Sequence, residues 1–174
     1  MSKILPIDEA NYFGRDEIIV SKTDLKGHLT YANDVFCRLA EMETSELIGS
    51  PHSIIRHPDM PRTIFKVLWD TLGQGEEIFA YVKNMAKSGR YYWVIAHVTP
   101  SLDASDKLNG YHSNRRCPNP AAISAISKIY ADILRVEQSH RNAKEGMAAG
   151  YQMFTDMLQR HGKSYSEFVW GMES

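Results

Sequence analysis

Five stretches of this chain read as β-strands, and their order limits the fold more than any other feature does. Glu17 to Thr23 is rich in β-branched residues and runs into the turn Asp24-Leu25-Lys26-Gly27, after which His28 to Ala32 resumes the alternation. Two short strands joined by a Gly turn predict a hairpin. Three further strand patterns follow much later, at Ile78–Asn84, Arg90–Thr99 and Gly110–Arg115, separated by the turn Lys87-Ser88-Gly89 and the polar loop Ser101–Asn109. Only short helical signals lie between the two groups. Two strands, several short helices and then three strands is an α+β order, and it predicts one antiparallel five-stranded sheet with short helices on one face.

The intervening segment is punctuated rather than periodic. Asn33 or Asp34 is placed to cap a short helix with Val35, Phe36, Leu39 and Ala40 on its apolar side, and a second short helical signal at Glu43–Leu47 is closed by Gly49. Pro51, Pro58 and Pro61 then forbid a long helix across PHSIIRHPDMP. Pro61 suits the start of the next helix, where Ile64, Phe65, Leu68, Trp69 and Leu72 recur at three-and-four spacing until Gly73 and Gly75. After Pro120 the chain turns helical again. Ile123, Ile126, Ile129, Tyr130, Ile133 and Leu134 form an apolar stripe, and a further helix is expected at about 143–161.

Charge excludes one class of function. The 174 residues hold 20 basic and 21 acidic side chains, a net of −1, so no basic field attracts nucleic acid or anionic lipid. Cys37 and Cys117 stand far apart and make no CxxC, zinc or haem-attachment pattern, as in a reducing compartment. The N-terminus has no apolar signal region and no stretch approaches the ~20 apolar residues of a membrane span, so the expectation is a soluble, cytoplasmic protein.

The segment Pro51 to Pro61 gathers His52, Arg56, His57 and Asp59 on a proline-stiffened loop. Their spacing matches no metal site, and a His–Asp pair without a nucleophile motif such as GxSxG does not make a hydrolase. A polar loop satisfied by its own hydrogen bonds and a ligand-binding loop both remain open. Arg56 can fork onto a phosphate or carboxylate, and His57 and Asp59 offer directional hydrogen bonds. Tyr31, Phe36, Phe65, Trp69, Phe79, Tyr81 and Tyr91–Trp93 all fall in the sheet or the helices facing it, each singly explicable as core. Together with Asn33 and Asn84 they suit a planar ligand with polar edges.

The landmarks D-x-x-G-x-x-T-Y-A-N-D-x-F, E-L-x-G-x-P-H, R-H-P-D-M-P and F-x-x-x-W, followed by V-K-N, Y-Y-W-V and G-Y-x-S, resemble a PAS domain over about residues 14–134. More narrowly, they resemble the flavin-binding PAS sensor of aerotaxis receptors. That resemblance implies non-covalent FAD between sheet and helices, with redox state as the signal. It implies cofactor contacts at Asn33, Arg56, His57, Asp59, Phe65, Trp69 and Asn84. Trp69 would stack on the ring, Arg56 and His57 would meet pyrophosphate or ribityl oxygens, and Asn84 would bond the ring edge. Since reduction adds a proton at N5, the amide of Asn84, or alternatively of Asn33, is the group expected to respond by rotating. The chain then divides into a cap at 1–15, a sensor at 16–117 and a helical extension at 118–174. It departs from the family at Ile78, often Trp there, and within Lys83–Gly89, often more basic.

The expected role is signalling and not catalysis, reporting redox state or oxygen to a partner. Aerotaxis receptors continue into a membrane anchor and a coiled-coil signalling module, which implies here either an excised sensor or a stand-alone protein. The stripe on the extension predicts a homodimer through flanking helices, the alternative being that it folds back on its own sheet. Haem is the competing cofactor, with His57, His97 and His112 as axial candidates, and a ligand-free interaction module is the competing class. Covalent flavin photochemistry requires a Cys beside the ring, and the corresponding stretch, RHPDMP, has none.

Overall fold

The computed structural model describes residues 4–174. The sheet comprises β1 (Ile19–Thr23), β2 (Leu29–Ala32), β3 (Ile78–Met85), β4 (Tyr91–Leu102) and β5 (Leu108–Arg116), in the order β2-β1-β5-β4-β3. Every neighbouring pair is antiparallel. Between β2 and β3 lie α1 (Asp34–Ala40), α2 (Thr44–Leu47), a 3-10 turn (His52–Ile55) and α3 (Arg62–Gly73); α4 (Pro120–Gln138), α5 (Ala143–His161) and α6 (Tyr165–Glu173) follow the sheet.

Local chemistry accounts for the elements. Asp24 holds the hairpin turn by accepting from the backbone N–H groups of Lys26 and His28, and Gly27 takes the left-handed φ of 81° that closes it. Asn33 caps α1 by accepting from Phe36 N–H. α2 starts with a reciprocal capping box between Glu43 and Glu46. Strand alternation sends Ile19, Ser21, Val94, Ala96 and Ser113 to one face, where Phe36, Leu39, Leu47, Ile55, Ile64, Leu68 and Leu72 of the helices close the core.

Two boundaries differ from the sequence expectation. β4 runs on through Pro100 to Leu102, and β5 begins at Leu108, so the expected loop Ser101–Asn109 is much shorter. The reason is that β3 ends its pairing at Val98, leaving β4 a free side beyond it, and proline is tolerated where no partner needs its missing N–H. The helix α6 was not expected, because nine residues carry too few periods to declare themselves.

The extension wraps the β3 edge. Ser166 Oγ accepts from Phe79 N–H at 3.2 Å, and Tyr130 O–H donates to the Tyr81 carbonyl at 2.7 Å, so groups of an otherwise open strand edge are satisfied. Within the stripe, Ile126, Tyr130 and Ile133 are fully buried inside the chain. Half of the stripe therefore folds back on its own chain, leaving Ile123, Ile129 and Leu134 half-buried, which reduces the apolar area on which the expectation of pairing rested. The described N-terminal residues run beside the β3–β4 turn, with Tyr91 N–H donating to the Glu9 carbonyl and Asn11 N–H to that of Tyr91.

Candidate ligand cavity

A cavity of about 300 Å³ lies between the inner face of the sheet and the α3 side of the helical layer. That volume is at the lower end of small-molecule sites. α3 contributes Phe65, Leu68, Trp69 and Leu72, which its 3.6-residue period places on one side. β1 contributes Ser21 and Thr23, β3 contributes Val82 and Asn84, and β5 contributes Tyr111, Ser113 and Arg115. The 3-10 turn and the residue after it add His52 and Arg56.

At the mouth stands Trp69. It meets Tyr111 edge-on at 5.3 Å and is 41% exposed, so much of the indole is not spent in the core. Gly27 lies against its ring, where an added Cβ would sit 3.4 Å from the indole carbons. The guanidinium of Arg56 rests 3.7 Å from the centre of the Phe65 ring, and the Arg56 backbone pairs with Asn84. Burial first, and Arg62 second, hold the Arg56 pKa below its usual value.

The deep end is polar and incompletely satisfied. Asn84, Tyr92 and Arg115 are each almost wholly buried, yet Asn84 Nδ2, the Tyr92 hydroxyl and Arg115 Nε and Nη1 have no hydrogen-bond partner. Buried polar groups are ordinarily paired, so the Asn84 and Arg115 atoms, which line the cavity, are able to bond an occupant. Arg115 donates to Ser21 Oγ, whose own proton is then directed to His52 Nε2 at 3.2 Å. Desolvation, reinforced by Arg115, pushes the His52 imidazole down to about 3, so it is a neutral acceptor. Burial brings Arg115 down to about 10, still a cation at neutral pH.

Of the residues the sequence nominated, Arg56, Phe65, Trp69 and Asn84 come together in this wall. Asn33, His57 and Asp59 stand outside it. The Asn33 amide is fully committed: Oδ1 accepts from Val20 and Phe36 N–H, and Nδ2 donates to the Ile18 carbonyl. His57 is buried behind the loop, accepting from Asp59 N–H at 3.1 Å and meeting Tyr91 edge-on at 6.4 Å. Burial, then Lys83, push its imidazole down to about 4 against the opposing pull of Asp59. Asp59 faces solvent, paired with Lys83 at 2.7 Å. It edges a second cavity with Lys83, Trp93, Tyr130 and Arg135.

Residues 29–113 match the PAS fold family. This segment is a PAS domain. The chain is 39% identical to the aerotaxis receptor of Escherichia coli (strain K12) over 115 residues, which is 66% of this chain and 22% of that receptor. It is 29% identical to the nitrogen fixation regulatory protein of Klebsiella pneumoniae over 99 residues, 57% of this chain and 20% of that protein. The chain thus spans about a fifth of the length of these relatives. Among solved structures, a light-oxygen-voltage domain studied with a flavin analogue superposes with a TM-score of 0.56 at 18% identity, over 64% of this chain and 83% of that one. The light-state light-oxygen-voltage domain of Aureochrome1 gives a TM-score of 0.56 at 13% identity, over 68% and 91%. At such identities the structural likeness establishes the fold.

The wall of this PAS domain carries no cysteine among the described residues; Cys37 lies in α1 near Thr44, and Cys117 precedes α4. The three histidines nominated as haem ligands are also elsewhere. His97 stacks on Phe79 at 4.1 Å and pairs with Glu77 at 2.7 Å, while His112 pairs with Asn114 at 3.2 Å. Sequence reasoning missed Ser21 and Arg115 as wall residues, and placed His52 on the candidate loop without making it a cofactor contact. The alternation of β5 carried the missing signal, since Tyr111, Ser113 and Arg115 share a face at period two.

Proposed function

We propose that this PAS domain holds FAD non-covalently in the cavity and reports its redox state, and through it oxygen supply, to a signalling partner. The observation that carries the reading is a donor-rich deep end, with Asn84 Nδ2 and two Arg115 nitrogens unpartnered, in a cavity that Trp69 also lines. An isoalloxazine ring is flat and rich in acceptors along one edge, which is the complement of that wall. The names of the relatives, an aerotaxis receptor and a nitrogen fixation regulator, support a sensory role, and the flavin analogue used with a light-oxygen-voltage domain of the same fold supports a flavin.

Bound flavin supplies a ring nitrogen that accepts a hydrogen bond when oxidised and donates one when reduced. The residues of the chain do the rest. Trp69 and Phe65 offer aromatic faces, and Arg56 and Lys26 near the rim are cations for a diphosphate. The Asn84 amide has one end free and can present either oxygen or nitrogen to the ring. The Ser21 hydroxyl does meet His52 in this wall, but an imidazole held down to about 3 is a weak base, which favours reading a state over transforming a substrate.

The test is the colour of the purified chain and the identity of what it releases. A yellow protein whose pigment, freed by denaturation, chromatographs as FAD supports the reading. Release of FMN would refute the FAD assignment, a Soret band would replace flavin with haem, and a colourless protein that takes up no added flavin would favour an interaction module.

A further inference from the structure

The deep end of the cavity contains a charge that the protein leaves without a counter-charge. Arg115 on β5 is 2% exposed and donates to one group only, Ser21 Oγ, with Nε and Nη1 unpartnered. No ion pair of Arg115 exists among the described residues, and no Asp or Glu lines the wall. The Phe36 ring lies 4.9 Å from the guanidinium, which is a weak compensation for a desolvated cation.

Every element around Arg115 faces it without an acid. β1 presents the Ser21 and Thr23 hydroxyls, and the 3-10 turn presents His52, kept neutral by a pKa of about 3. β4 presents the Tyr92 phenol, raised by burial and thus protonated, with its hydroxyl free. Arg56 and Lys26 add positive charge toward the rim. α3 shows the cavity apolar side chains, while its Lys66 and Asp70 pair with each other at 2.6 Å outside. Buried charges are matched or they are expelled, so the match for Arg115 must come from the occupant.

Resting on the flavin reading above, we propose that Arg115 is the counter-charge for a reduced flavin ionised at N1. Two electrons from an external reductant and one proton enter the ring. The proton resides on N5, N1 stays unprotonated, and the single negative charge is neutralised in place by Arg115. The oxidised ring is neutral and offers Arg115 only lone pairs. Charge-assisted bonds exceed neutral ones by about 1.4 kcal/mol, a factor of ~10, so the wild type holds reduced flavin ~10-fold more tightly than oxidised. By linkage the same factor raises its reduction potential.

The experiment is a spectroelectrochemical titration of the flavin-loaded full chain with dithionite, on the acid side of neutrality, where free reduced flavin carries a proton at N1. His52, at about 3, stays neutral throughout that window. The wild type is expected to take up one proton per two electrons, so its potential falls with pH at half the slope of a two-proton reduction. Arg115→Met should restore the two-proton slope and lose the ~10-fold preference for reduced flavin, while Arg115→Lys keeps the half slope. If Arg115→Met does not fold, the wild-type slope and that of Arg115→Lys decide. A two-proton slope in flavin-loaded wild type overturns the inference and leaves the flavin reading standing. Equal weakening of oxidised and reduced flavin in Arg115→Met, with the half slope intact, would assign Arg115 to the diphosphate and also overturn it. Wild type that binds no flavin overturns both.

Discussion

Replacing Glu137 by alanine is expected to destabilise the fold by about 2 kcal/mol, although Glu137 lies 74 residues away in sequence from the helix it supports. α3 begins after Pro61, which provides no side-chain cap. Its first turn is capped instead from α4, where the buried Glu137 carboxylate accepts from Thr63 N–H at 2.8 Å, Thr63 O–H at 2.7 Å and Arg62 N–H at 3.1 Å. Loss of a helix cap costs about 1 kcal/mol. Stranding the buried Thr63 hydroxyl adds about 1–3 kcal/mol, and relief of the desolvated carboxylate offsets part of the sum. For a chain of this size the melting temperature should fall by about 4–8 °C. Thermal denaturation followed by circular dichroism measures it, and Glu137→Gln, which keeps one acceptor, should lose about half as much. A change below about 0.5 kcal/mol in Glu137→Ala would show that solvent caps α3 equally well, and would refute the argument.

Gly150→Ala should destabilise too, against the usual ~1 kcal/mol helix gain, because a Cβ there would lie 2.6 Å from Thr63 Oγ1 and 2.9 Å from Glu137 Cγ; a raised melting temperature would show that the contact relaxes freely. Trp69→Ala should remain folded with a melting temperature near wild type, since the side chain is 41% exposed, while flavin content drops; unfolding in place of flavin loss would make Trp69 a core residue. The imidazoles of His52 and His57, held down to about 3 and about 4, bind protons in the unfolded chain before the folded one. Stability should therefore decline as pH falls from about 6.5 toward 4, by up to roughly 3 kcal/mol per imidazole, and His57→Gln should flatten the slope of a denaturant series across that range. Asn84→Ala leaves no amide to rotate, so helix or oligomer changes on flavin reduction should vanish in it; their persistence in a flavin-loaded variant would exclude Asn84 as the switch.

The sheet was legible because its cues are local. The β-branched and aromatic residues of Arg90–Thr99 and the Gly turns at 27 and 89 act within a few residues, and the structure pairs β4 with β3 residue for residue from Ile78 to Met85. The α3 wall was legible for a similar reason, since Phe65 and Trp69 are one helical turn apart. What the sequence hid depends on distant partners. Asn33 looks like a free amide until α1 and β1 claim both of its ends. The stripe of α4 looks like an exposed seam until the chain returns through α5 and α6 to bury it. Arg115 reads as an ordinary strand-end cation, and only the closed sheet reveals that no acid faces it.

Two of the elements that line the cavity, α3 and β3, also hold the extension. α3 turns Phe65 and Trp69 toward the cavity while its first turn is bound by Glu137, and Gly146 and Gly150 let α5 close over that contact, since a Cβ at Gly146 would lie 2.2 Å from the Glu137 carbonyl. β3 turns Val82 and Asn84 inward, and its alternation sends Tyr81 outward, where its hydroxyl donates to Glu173 at 2.7 Å and its carbonyl accepts from Tyr130. Close-packed contacts of this kind have few intermediate positions, because hydrogen bonds weaken steeply with misalignment and interiors lack slack. A shift of α3 or β3 set by the cavity's occupant therefore acts directly on groups that anchor α4 and α6. The strand provides the shorter route. Two residues separate Asn84, whose free amide faces the cavity, from Tyr81, whose side chain anchors α6, so a changed hydrogen bond at one need travel along a single strand to reach the other.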